Sequence, residues 1–98
     1  MKHLITVVAE MKAKPGKEEV LLKVLLEMVE HTRKEAGCVQ YDLHVSPKDA
    51  GQFLFYENWE SEEHLAKHAA SDHLKKFGEV RGELLEAAPR VDTFRRVI

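Results

Sequence analysis

The chain has 98 residues, 44% of them hydrophobic and 33% charged, the balance of a single globular domain spanning residues 1–98. A net charge of −2 argues against a nucleic-acid partner, which would require a basic patch. One cysteine leaves no internal disulfide, and no run approaches the ~18 apolar residues of a membrane span.

Residues 3–13 are rich in β-branched side chains and read as a strand. Its apolar stretch, Leu4 to Ala9, is too short for the core of a secretory signal and runs into Glu10 and Lys12. Together with the lone Cys38, this leads to the expectation of a cytoplasmic protein. Cys38 has no flanking charge to favour its thiolate and reads as a packed strand residue. Pro15-Gly16 breaks the first strand. Residues 17–36 have helical spacing, with Leu21, Val24, Leu25, Met28 and Thr32 on one face and Gly37 as the expected stop. Leu22, Leu26 and Val29 widen the apolar arc, so this helix is expected to touch more than one surface.

Cys38 to Ser46 alternates, with Val39, Tyr41, Leu43 and Val45 on one side. Residues 47–51 form the expected hairpin connection, and Gln52 to Glu60 is the next strand. Phe53, Phe55, Glu57 and Trp59 share one face of it; Leu54, Tyr56 and Asn58 share the other. Large apolar residues on both faces do not suit a sheet with one side in water. One face is expected against helices and the other against the sheet of a second subunit. Ser61 caps the next helix, and Ser71-Asp72 recaps it, giving two pieces between residues 61 and 88. Pro89 ends the second piece, and residues 90–98 form the last strand. The order is βαββαβ, an α+β fold of the ferredoxin-like type with an antiparallel sheet covered by helices on one face.

The sequence lacks a G-x-G-x-x-G, a P-loop, a C-x-x-C and an H-E-x-x-H, so no nucleotide, flavin or metal cofactor is indicated. His64 and His68 are spaced for one helix turn, but the pair alone does not make a metal site, and His64 reads as a solvated edge. His68 and His73 could exchange protons near neutral pH or be core histidines bonded to backbone. Glu57 sits among aromatics, where its carboxyl would be desolvated and basic, or it pairs with a neighbouring cation. Trp59 suits a flat aromatic ligand or a plug between strand and helix. Tyr41 reads as a ligand-facing phenol or a core residue with a wet tip. Arg81 reads as solvated.

Val8-Ala9-Glu10-Met11-Lys12-Ala13-Lys14-Pro15-Gly16 resembles the close of strand one in the antibiotic biosynthesis monooxygenase family. Lys34-Glu35-Ala36-Gly37-Cys38-Val39-Gln40-Tyr41 is similar to its E-x-G-C-x-x-Y segment. Glu57-Asn58-Trp59-Glu60-Ser61, then His64-Leu65, His68 and Ser71-Asp72-His73, resembles its E-x-W-x-S…H…S-x-H stretch. The likeness implies a homodimer with facing sheets, a dimeric α/β barrel, and a pocket between sheet and helices. It implies oxidation of a small phenol or quinol by O2 without metal or flavin, as in the small quinol monooxygenases. By that resemblance Trp59, His68 and His73 match the motif, with Tyr41 and Glu57 as neighbours; His68, His73 and Glu57 are the catalytic candidates, and Trp59, Tyr41 and Phe55 the expected substrate-binding residues. Heme breakdown in the same family uses an asparagine on strand one, and residues 3–13 have none. Two other readings stay open: an isomerase of a small, phosphorylated metabolite, for which Lys12, Lys14 or Arg81 would supply charge, and a non-catalytic ligand-binding stress-response dimer.

Overall fold

The computed structural model describes residues 4–98; the expected strand start at His3 lies outside them. Strand β1 (Ile5–Lys12) alternates buried and half-buried residues along its whole length, because it lies between two neighbours and under a helical layer. Strands β3 (Asp49–Trp59) and β4 (Arg90–Arg95) flank it, both antiparallel. Strand β2 (Cys38–Ser46) adds to the far side of β3, giving the order β2-β3-β1-β4. Helices α1 (Glu18–Thr32), α2 (Glu62–Ala69) and α3 (Asp72–Leu84) complete the βαββαβ plan, the second crossover being split in two.

One core holds the layers together. The inward residues Val7, Ala9, Met11, Phe53 and Phe55 meet Leu21, Leu25 and Met28 of α1 and Phe77 of α3. Leu21 and Leu25 are fully buried, and each contributes about 1.5–3 kcal/mol by leaving water. The helix-facing side of β3 is the expected one: Phe53, Phe55, Glu57 and Trp59 are all buried. Leu22 and Leu26 of the wide α1 arc stay exposed, while Val29 is buried.

Several boundaries differ from expectation. Helix α1 stops at Thr32, four residues before 36. Its last amides turn to nearer carbonyls, Lys34 N to His31 O at 3.3 Å and Glu35 N to Thr32 O at 3.0 Å, the tightening that satisfies frayed helix ends. Gly37 is therefore not the helix stop. It sits one turn later at φ 82°, where a Cβ would fall inside the His64 ring. The alternation of β2 is interrupted as well. A register shift falls between Cys38 and Gln40, so Val39 is exposed rather than aligned with buried Tyr41. Val45 keeps the Tyr41 face, opposite Phe53, but is exposed, and a second shift follows it at Ser46. The hairpin is shorter than residues 47–51, since only Pro47 and Lys48 separate the two strands.

Ser61 and Ser71 are the expected caps, accepting from the amides of His64 and Leu74. Helix α3 ends at Leu84, well before Pro89. Leu85 instead bridges to Ala13, and the Glu86 amide donates to Lys12 O at 3.0 Å. The last strand ends at Arg95, and Val97 and Ile98 beyond it are exposed. No described helix is long and apolar enough to cross a membrane.

Candidate active site

The inward face of the sheet and the helices α2 and α3 enclose a cavity of about 250 Å³. Register decides what lines it. Glu57 of β3 stands opposite Val7 of β1 on one side and Tyr41 of β2 on the other, so all three point under the helices. Phe55 lies one pleat along the same face. His68, in the last turn of α2, and Phe77 of α3 close the wall from above. Arg81 and Val91, both exposed, mark where the cavity meets solvent.

Glu57 is 4% exposed. Desolvation pushes its carboxyl up to about 7, with the nearby Glu35 charge adding to the rise. Trp59 opposes this by donating its Nε1–H to Glu57 Oε1 at 2.9 Å. The result is a group that can take or release a proton near neutrality. Burial drives the Tyr41 phenol far above its ordinary value, so it stays protonated. Its ring lies 4.7 Å from Phe55 and 5.5 Å, edge-on, from His68.

His68 is 5% exposed. Desolvation holds its imidazole below the ordinary histidine value, and the bond to Glu35 works against that. A neutral ring with one available lone pair is the outcome. Its Nδ1 lies 2.7 Å from Glu35 Oε2, and its face packs 4.6 Å from the Trp59 ring.

The candidate residues thus divide. Tyr41, Phe55, Glu57 and His68 come together on the cavity wall. Trp59 has no exposed surface and backs the wall, behind His68 and Glu57, instead of forming it. His73 does not reach the cavity either, because α3 starts afresh at Ser71 and does not continue the turn of α2. It lines a neighbouring concavity of about 590 Å³ between α1 and α3, beside His31 and Lys76. Although larger, that concavity carries its charges on the exposed rim at Glu27, His31, Asp72 and Lys76, so the buried, perturbed groups of the smaller cavity make it the better chemical site.

Glu35 joins the two. Its Oε2 lies 2.9 Å from His73 Nε2 as well as 2.7 Å from His68 Nδ1. Sequence reading gave it no role, although a signal existed. Counted from Met28 and Thr32 it falls on the buried stripe of α1, where a carboxylate needs a partner. Glu35, His68 and His73 also bring their ligand atoms within 4.8 Å of one another. The spacings to Oε2 are those of N–H···O bonds, which account for the cluster without an ion. His64 is not the solvated edge expected: it is half-buried over Gly37, with Nδ1 2.7 Å from Ser61 Oγ. Burial raises the Cys38 thiol, in keeping with a packed cysteine and not a nucleophile. Lys12 pairs with Asp49, and Lys14 donates to Gly82 O at 2.8 Å, so of the expected cations only Arg81 borders the cavity.

The pattern of the family described as antibiotic biosynthesis monooxygenase matches residues 4–80. The chain is similar to the probable quinol monooxygenase YgiN of Escherichia coli strain K12, 30% identical over 99 residues, covering 90% of this chain and 95% of that protein. It is 26% identical over 91 residues to the uncharacterized protein sll1783 of Synechocystis, of which it spans 62%. The solved structure of PA3566 from Pseudomonas aeruginosa superposes with a TM-score of 0.93 at 33% identity, covering 100% of this chain and 98% of that one.

Proposed function

The chain belongs to the antibiotic biosynthesis monooxygenase family, and on that premise we propose that it oxidises a small phenol or quinol with O2 in the cavity between sheet and helices. The observation that carries this reading is the pairing of two buried titratable groups, Glu57 and His68, with Tyr41 and Phe55 on the wall of a mostly apolar cavity whose mouth holds Arg81. A pocket that merely bound a hydrophobic ligand would gain nothing from burying either. At about 250 Å³ the cavity falls below the ~300–1,000 Å³ of sites for drug-sized ligands, which favours one or two fused rings over a longer polycycle.

His68 is the base. Its neutral ring takes the phenolic proton, and the phenolate gives one electron to O2. Superoxide and the ring radical then combine at carbon, and the resulting peroxide loses water to leave a carbonyl. One oxygen atom enters the product and the other leaves as water; all the electrons come from the substrate, so the scheme invokes no resident cofactor. Glu57 handles the second proton. The cavity excludes water, which protects the radical pair. The bare face of the sheet carries Val8, Leu54, Tyr56 and Phe94, and we assign it to a second copy of the chain, in a homodimer with facing sheets.

Oxygen uptake with a panel of one- and two-ring quinols, with and without chelator, tests the reading. The expected result is one O2 consumed per turnover, insensitive to chelator, with one labelled oxygen atom from 18O2 in the product. No uptake with any member would end it. Arg81 at the cavity mouth supports one second reading, acid–base isomerisation of a small phosphorylated metabolite. Solvent deuterium entering such a compound without O2 uptake would favour that alternative.

A further inference from the structure

Three separate pieces of chain meet at one carboxylate oxygen. Glu35 comes from the tightened turn after α1, His68 from the end of α2 and His73 from the first turn of α3. Glu35 and His73 side chains are 18% and 19% exposed and His68 only 7%, so the cluster sits where solvent competes weakly for its hydrogen bonds. A carboxylate oxygen 2.7 Å from Nδ1 of His68 fixes a proton on that nitrogen, since two facing lone pairs would repel. The lone pair of the neutral ring then belongs to Nε2. Among the described residues His68 has no other side-chain hydrogen bond, and no buried side-chain nitrogen or oxygen lacks a partner. Nε2 therefore opens onto the cavity that the ring lines. Trp59 against the ring face and Tyr41 at its edge prevent it from rotating.

We propose that Glu35 is the positioning residue of the site: it holds His68 as the Nδ1–H tautomer, aims Nε2 at the substrate hydroxyl and stabilises the imidazolium that forms. This rests on the reading of His68 as the base. In the step, the substrate O–H bond breaks and an N–H bond forms at Nε2, and the positive ring stays paired with the Glu35 carboxylate until it gives the proton to the peroxide oxygen that leaves as water. His73 holds that carboxylate from the other side at 2.9 Å, with the Thr32 and Ser71 hydroxyls 3.2 and 3.3 Å from the same ring nitrogen. The other groups around His68 are Glu57 of β3 and Tyr41 of β2, with Arg81 of α3 on the cavity wall.

Imidazole 15N spectra of the labelled full chain read the tautomer and titration of His68 without any substrate. In the unaltered protein the Nδ1–H form is expected. Glu35→Gln keeps an acceptor but loses the charge, so the tautomer should persist while the His68 pKa falls by about one unit. Glu35→Leu removes both, and the neutral ring should become a mixture of tautomers. With an active quinol, Glu35→Gln should lower kcat at least about tenfold while KM changes little. An Nε2–H ring in the unaltered protein would overturn the proposal, and that spectrum decides the tautomer even if a variant fails to fold. A His68 titration unmoved by Glu35→Gln would also overturn it, as would signals that change on adding EDTA, which would make the cluster a metal site. If the spectra behave as expected but no phenol or quinol is consumed, the positioning role stands and the oxidation reading falls.

Discussion

Strand β3 serves two surfaces with opposite demands. Toward the helices it presents Phe53, Phe55, Glu57 and Trp59, none more than 4% exposed. Away from them it presents Leu54, Tyr56 and Asn58, and Tyr56 keeps 38% of its surface in water. The covered side places its one carboxylate where desolvation shifts it to about 7. The bare side satisfies its polar groups in a ladder across three strands, Thr6 Oγ1 to Asn58 Oδ1 at 2.6 Å and Asn58 Nδ2 to Gln40 Oε1 at 2.8 Å. Asn58 there is paired on both sides, whereas the adjacent Glu57 faces the helices with its carboxyl pushed up to about 7. On the proposed reading, chemistry belongs to the covered face and the apolar remainder of the bare face serves association.

Substitutions on each face should separate the two properties. The largest effect is expected at His68: His68→Gln should lower quinol turnover about 10²- to 10⁴-fold while leaving the sedimentation coefficient alone. Glu57→Gln comes next, and pH decides its sign. The folded carboxyl titrates near 7 against an ordinary 4.5, so between those values the folded state keeps a proton that the unfolded chain has lost. Stability falls as pH rises through that window, and the full penalty applies above 7. The Gln variant, whose amide oxygen still accepts from Trp59, should match the parent near pH 4. At pH 8 it should exceed it by about 2–3 kcal/mol in denaturant unfolding; equal differences at both values would mean that Glu57 is not buried as a neutral acid.

Tyr56→Asp with Phe94→Asp should shift a dimer toward monomer by at least about tenfold in dissociation constant, since a charge would be desolvated in the facing sheets. Analytical ultracentrifugation reads this directly, and an unaltered protein that sediments as a monomer would remove the second copy from the proposal. Lys12→Met marks the lower limit. Its ion pair with Asp49 is exposed on both sides, and such pairs contribute little, so no change in Tm is expected.

Much of this was readable in the sequence where a local rule acts alone. The two-residue period of Phe53 to Trp59 fixes one face of β3, and Ser61 and Ser71 announce helix starts with side chains that can accept amide bonds. Readability ended where distant parts compete. The spacing of Glu35 from Met28 and Thr32 hints at burial, but nothing local says that α1 ends at Thr32 or that His68 and His73 will meet the carboxylate. Trp59 looked open to a ligand, because the sequence does not show His68 lying across it. Val39 broke a clean alternation for the same reason, its extra residue being absorbed by a bulge that pairing, not periodicity, imposes.

That bulge bears on how the protein survives at high concentration. The two outer strands of this sheet, β2 and β4, have unpaired backbone along one side, the template on which chains stack into fibres. Irregularities interrupt β2 at both ends, and β4 is studded with Arg90, Asp92 and Arg95. Neither rim offers a long, flat, uncharged strand for another chain to extend. The molecule can thereby expose apolar side chains on the flat of its sheet, where the proposed contact with a second copy would end at two, without inviting the open-ended growth that its edges would permit.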